Sequence, residues 1–163
     1  SEAFSLSDRV AIMLGGKIVQ LDTPENVVSR PANLETARFL GVENLIAGTV
    51  TSIDASSIVV DVHGIRAKLI VTRADDVSVG DAVSVGIRAA SIDVVSPESG
   101  NDDNVIDGTV VQTTFLGEGA QYRVAVGSNH ILVRTWLSDS PPLAAATPIR
   151  ISLPAHRLSV FPV

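Results

Sequence analysis

A chain of 163 residues with 45% hydrophobic content can bury one or two small cores, which excludes a disordered tail. No apolar run reaches the roughly 18 residues of a membrane span, and the absence of cysteine rules out disulfides and thiolate zinc sites. A net charge of −6, scattered basic residues, and only four Phe, one Trp and one Tyr exclude a nucleic-acid backbone as the main partner and a base-stacking platform.

The first residues carry Glu2 and Asp8 rather than a basic stretch before an apolar one, so no secretory signal is expected. Glu2 to Leu6 reads as the end of a helix. Arg9 to Leu14 and Lys17 to Leu21 read as a hairpin across the Gly15-Gly16 turn. Thr23 before Pro24-Glu25 is an N-cap with proline at the first helical position, predicting a short helix to about Ser29. After Pro31 a second helix is predicted from about Leu34 to Leu40, ending at Gly41.

The remainder is β-rich and written twice. Asn44-Leu45-Ile46-Ala47-Gly48-Thr49-Val50 returns as Asn104-Val105-Ile106-Asp107-Gly108-Thr109-Val110, an offset of 60 (104 − 44). Only Ala47 and Asp107 differ in kind. Val83, Val85, Ile87, Ala89, Ile92 and Val94 align with Ile149, Ile151, Leu153, Ala155, Leu158 and Val160, an offset of 66 (149 − 83). The later copy has therefore gained about six residues (66 − 60).

Alternation marks the strands. Ile65, Ala67, Leu69 and Val71 share one face, with Arg66 and Lys68 opposite. Val83, Val85 and Ile87 repeat the period. So do Tyr122, Val124 and Val126, then Ile131 and Val133, then Ile149, Ile151 and Leu153. Turns fall at Asp54-Ala55-Ser56, His63-Gly64, Val79-Gly80-Asp81, Gly117-Glu118-Gly119 and Gly127-Ser128-Asn129. Ser96 to Asp103 is a polar linker. About five short strands in about 55 residues per copy suit a small barrel of the oligonucleotide/oligosaccharide-binding (OB) type. The fold class is mainly β: two such modules in tandem, preceded by a hairpin and two short helices. A barrel this small has a thin core, and pairing two of them buries more apolar surface.

Ser7-Asp8-Arg9-Val10-Ala11-Ile12-Met13, Gly16-Lys17-Ile18-Val19-Gln20, Thr23-Pro24-Glu25-Asn26-Val27, Pro31-Ala32-Asn33 and Phe39-Leu40-Gly41 form a recognisable series. It resembles the end of the nucleotide-binding domain of ABC importer ATPases of the sugar/polyamine/iron/molybdate type. In that family the stretch lies just after the histidine that senses the γ-phosphate, and the resemblance implies that this chain begins a few residues later. The repeats resemble the tandem TOBE (transport-associated OB) modules that follow. Gly86-Ile87-Arg88 resembles a Gly-Ile-Arg-Pro-Glu motif there, with Ala89-Ala90 replacing Pro-Glu. Phe115-Leu116-Gly117 with Tyr122-Arg123-Val124 resembles the second module.

The resemblance implies the end of a nucleotide-binding domain at 1–41, modules at 42–96 and 104–163, and a linker at 97–103. It implies a regulatory and dimerisation region of a bacterial or archaeal importer. The partners would be a second copy and, through the parent protein, the transmembrane permease subunits. The location implied is cytoplasmic, at the inner face of the membrane. ATP and magnesium would belong to the parent protein. No cofactor is expected in this chain.

The residues agree that the chain is not itself an enzyme. Gly15-Gly16-Lys17 lacks the upstream glycine and following hydroxyl of a phosphate-binding loop, and a hairpin turn explains it. His63, His130 and His156 have no metal-ligand spacing and read as exposed loop or edge residues. No nucleophile elbow is present.

An alternative function is feedback sensing of an oxyanion (molybdate, tungstate or sulfate). Some tandem relatives bind such anions, and Arg88 and Ser91 match their lysine and serine positions. Arg88 could fork onto two oxygens. Against this, Glu43, Asp102 and Asp103 flank the repeated asparagines and would repel a dianion. The second copy offers Pro154-Ala155-His156-Arg157 instead, so such a pocket would be asymmetric. The candidate ligand contacts are thus Arg88, Ser91, His156 and Arg157. The plainer reading makes Arg88 a solvent-facing arginine paired with a carboxylate such as Asp93. Trp136 and Leu137, before Ser138-Asp139-Ser140-Pro141-Pro142, are either barrel core or a dimer contact, and Phe115 likewise.

Overall fold

The computed structural model describes residues 7–65, 68–72, 76–100, 102–136 and 141–163. The helix end expected at Glu2 to Leu6, the alternating positions Arg66 and Ala67, and Leu137 lie outside these.

The chain opens with the expected hairpin, β1 (Val10–Leu14) and β2 (Lys17–Asp22). Gly15 and Gly16 turn it with φ of +57° and +77°, the left-handed pair that suits a two-residue hairpin loop. Helix α1 (Pro24–Ser29) is capped by Thr23, whose hydroxyl accepts from the Asn26 N–H at 3.3 Å. Helix α2 (Leu34–Phe39) is capped by Asn33 in the same way, at 2.8 Å. Val10, Ile12 and Val27 bury between hairpin and helix, with Leu14, Val19 and Leu40 against them. Among the described residues no helix is long and apolar enough to cross a membrane.

The repeats form two antiparallel five-stranded sheets. In chain order the strands of the first copy are β3 (Asn44–Ile53), β4 (Ser57–Val62), β5 (Lys68–Thr72), β6 (Ala82–Ile87) and β7 (Asp93–Val95). Those of the second are β8 (Val105–Phe115), β9 (Gly119–Val126), β10 (Asn129–Trp136), β11 (Pro148–Ser152) and β12 (Ser159–Pro162). The count per copy is as the periodicity predicts.

The pairing crosses the copies. One sheet runs β12-β6-β3-β4-β5 and the other β7-β11-β8-β9-β10. Each copy therefore donates its last strand to the other's sheet. Asp93 lies opposite Ser152, and its counterpart Ser159 lies opposite Gly86. Two 3-10 turns carry the chain across, Ala89–Ser91 after β6 and Ala155–Arg157 after β11. Cutting the chain in the 97–103 linker would leave each sheet one strand short.

One core serves both sheets. Ile58, Leu69 and Ile87 from the first copy and Ile131, Ile151 and Leu153 from the second are fully buried in it. Each such side chain contributes about 1.5–3 kcal/mol through burial. Shared burial is the physical gain from the duplication.

The repeated Gly-Thr-Val has a geometric cause. The register slips after Val50 in β3 and after Val110 in β8, a bulge at the same place in each copy. A Cβ on Gly48 would meet Val60 Cγ1 at 2.6 Å, and one on Gly108 would meet Val124 Cγ1 at 2.6 Å. Each sheet bends too sharply there for a side chain.

Ala47 and Asp107, the one contrast within the repeated heptad, also resolve. Ala47 lies opposite Ser84, whereas Asp107 lies opposite Arg150. Arg150 Nε and Nη2 donate to the two Asp107 carboxylate oxygens at 2.8 and 3.1 Å, and Nη1 donates to the Ser99 carbonyl of the linker at 2.5 Å. The change on one strand is matched by a change on its neighbour.

Candidate functional site

Arg88 leaves the end of β6 just before the first 3-10 turn and is half-buried. Its Nη1 and Nη2 both donate to the Leu40 carbonyl at 3.2 Å, satisfying a backbone acceptor just past α2. Glu43 supports the same junction. Its carboxylate accepts from the Ala89 N–H at 3.2 Å and pairs with Arg134 of β10 at 3.5 Å. Arg88 and Glu43 thus fasten the hairpin–helix segment to the β modules.

This corrects the solvent-facing reading of Arg88 and its pairing with Asp93. Asp93 moves with β7 to the other sheet, where Arg157 Nη1 meets its carboxylate at 3.3 Å and donates to the Ser91 carbonyl at 3.1 Å. The strand exchange, invisible to periodicity, decides which arginine the carboxylate finds.

Arg88, Ser91, His156 and Arg157 nevertheless converge. All four line one cavity of about 300 Å³, whose other walls come from α1, the α1–α2 connection and β12. The two 3-10 turns that the exchange brings together supply the polar wall. The copies differ most here, with Arg88 against Pro154 and Ser91 against Arg157 at the 66-residue offset.

Trp136 is not a core residue: it is 75% exposed, at the end of β10, so the core reading is corrected. Phe115 (64% exposed) and Leu116 lie at the same end of that sheet. Trp136 stands opposite Gly119, and the Leu116 N–H donates to the Gly119 carbonyl at 2.8 Å. A Cβ on Gly119 would come within 2.1 Å of the Thr135 carbonyl, so this hairpin tip needs glycine. Beside Trp136 is a second cavity of about 440 Å³, reaching Ile92 on one side and Leu143 on the other. Leu143 is pinned there by the Tyr122 hydroxyl, which accepts its N–H at 3.1 Å, and by the Thr113 hydroxyl, which donates to its carbonyl at 2.6 Å.

The histidines stand apart. His63 Nε2 is 3.1 Å from the Thr49 hydroxyl, His130 is in β10, and His156 is in the second 3-10 turn. Among the described residues no group of three or more His, Asp or Glu could hold a metal ion.

Sequence reasoning missed what Asn44 and Asn104 do. The Asn44 side chain donates to the Leu132 carbonyl and accepts the Leu132 N–H, both at 2.8 Å. Asn104 makes the same pair of bonds to Ile70, both at 2.6 Å. Leu132 and Ile70 are on β10 and β5, the edge strands of the opposite copies. Each amide acts as one more strand residue, clamping its own copy to the other. The signal in the sequence was that both copies begin with asparagine; the structure buries both.

Residues 85–161 match the TOBE domain family. The spermidine/putrescine import ATP-binding protein PotA of Marinobacter nauticus is 39% identical over 119 residues, 71% of this chain and 30% of that protein. PotA of Vibrio cholerae is 32% identical over 143 residues, 86% of this chain and 37% of that protein. PotA of Thermotoga maritima is 31% identical over 134 residues, 81% and 36%. The chain thus spans about a third of the length of these relatives. In fold it is similar to the cytoplasmic molybdate-binding protein ModG, solved with molybdate bound. The TM-score is 0.61 at 16% identity, covering 76% of this chain and 98% of that one. The chain carries a TOBE domain on a tandem OB-like scaffold and is related to the ATP-binding subunits of ABC importers.

Proposed function

We propose that this chain is the regulatory and dimerisation region of the ATP-binding subunit of an ABC importer. Residues 1–41 would close its nucleotide-binding domain, and 42–96 and 104–163 would be its two TOBE modules, separated by the 97–103 linker. The observation that carries this reading is the grip of Arg88 on Leu40. It joins the segment that resembles the ATPase domain to the β modules, so a displacement of one would be felt by the other. The exposed Phe115, Leu116 and Trp136 supply an apolar end for pairing with a second copy. ATP and magnesium, hydrolysis and the permease contacts belong to the parent subunit, at the inner face of the membrane. To test this, residues 42–163 are removed from the parent subunit. ATP binding is expected to persist while assembly and regulated uptake fail. Regulated uptake equal to that of the intact subunit would refute it.

A second reading, sensing of molybdate, tungstate or sulfate, is favoured by the convergence of Arg88, Ser91, His156 and Arg157 on one cavity. Titration calorimetry with each anion tests it; absence of heat removes it.

A further inference from the structure

We propose that the cavity between α1 and the two 3-10 turns is a binding site for a small organic anion, a carboxylate on an aliphatic body. The site needs only one copy of the chain.

Charge is the first reason. The chain has 18 acidic residues against 12 Lys and Arg. Yet the charged residues lining this cavity, among those described, are Arg88 and Arg157, with no carboxylate in the lining and Asp93 meeting Arg157 from outside it. A wall of one sign in an otherwise acidic molecule concentrates ions of the other sign.

Unmet hydrogen bonding is the second. Arg157 makes its bonds to Ser91 and Asp93 through Nη1 alone. Its planar fork therefore retains donors suited to a carboxylate.

Shape and polarity are the third. The same lining includes Val28, Pro31 and Phe161, apolar surface that a bare inorganic oxyanion would leave unused. An anionic head with an aliphatic body satisfies both sides. At about 300 Å³ the space lies at the small end of ligand pockets. Because Val28 and Pro31 belong to the N-terminal segment and His156 and Arg157 to the second copy, an occupant would lock segment and modules together.

The probe is sodium hexanoate, followed by calorimetry and by the melting temperature of the chain. Sodium molybdate, sodium sulfate and hexylamine form the comparison arms. A saturable rise in melting temperature is expected with hexanoate alone. Kd is expected to rise at least about tenfold in Arg157→Gln and several-fold in His156→Gln. Three outcomes would overturn the proposal: no response to hexanoate up to about 100 mM, an equal response to hexylamine, or unchanged affinity in both variants. A response to molybdate or sulfate as strong as to hexanoate would also overturn it, and would instead support the inorganic-oxyanion reading. If Arg157→Gln does not fold, His156→Gln, exposed and with no hydrogen bond to another of the described residues, decides alone.

Discussion

Asn44 and Leu132, 88 residues apart, hold one another by two hydrogen bonds of 2.8 Å, amide to backbone and backbone to amide. Asn104 and Ile70 repeat the arrangement in the other direction. With the exchanged strands β7 and β12, these clamps make two copies of one motif into one folding unit.

Asn44→Ala should therefore cost about 1–3 kcal/mol, since it strands an N–H and a C=O on an edge strand where the amide had served both. Asn44→Asp keeps the acceptor but sets a buried carboxylate against the Leu132 carbonyl, and should cost at least as much as the alanine. Urea unfolding of both variants checks this. A single transition is expected to persist, because the exchange itself remains.

Ala146 has a φ of +68°, where the first copy has Gly80 at +92°. The two turns are otherwise alike: Gly80 N–H donates to the Val50 carbonyl at 2.8 Å, and Ala146 N–H to the Val110 carbonyl at 2.7 Å. A left-handed alanine costs about 1–2 kcal/mol, part of which glycine's unfolded-state entropy offsets. Ala146→Gly should stabilise the chain by about 0.5–1 kcal/mol, seen as a rise of a few degrees in Tm.

The hydrogen bonds from Arg150 hold the Asp107 carboxyl below its ordinary value of 3.8, with Coulomb attraction adding to them. A folded-state value below the unfolded one gives stability that is present above pH 3.8 and lost as pH falls through the folded-state value. Asp22 and Asp54 shift the same way through hydrogen bonds from Asn26 and from the Ser56 backbone respectively. Acid unfolding curves should show Asp107→Asn less stable than the parent near neutral pH. The difference should shrink as pH falls below about 4.

Arg88→Ala removes both bonds to Leu40. Amide hydrogen exchange in α2 and the following residues should quicken about tenfold or more, while β3 and β8 stay protected. Arg88→Lys should rescue only part of this, because an ammonium cannot reproduce the fork.

Much of this was legible in the chain. The hairpin, the first helix cap and the strand count follow from Gly15-Gly16, Thr23 and the period-two runs, all local signals. The exchange of β7 and β12 was not legible. Alternation at Asp93-Val94-Val95 says which side chains turn inward but not which sheet the strand joins. The partners of Arg88 and Asp93 depend on that choice. The four cavity residues could be named singly from the resemblance and from the divergence between copies. Their meeting needed the two 3-10 turns side by side. Trp136 misled because tryptophan usually buries, and its place at the very end of β10 is not visible in composition.

The most direct measurement is sedimentation equilibrium of the chain and of Trp136→Ala side by side. Trp136 is the single tryptophan, so emission recorded across the same concentrations reports its environment. The parent chain should dimerise, with emission shifting to the blue as it does, and Trp136→Ala should dimerise at least about tenfold more weakly. A parent chain that stays monomeric at every concentration, its tryptophan emission unmoved, would contradict the account.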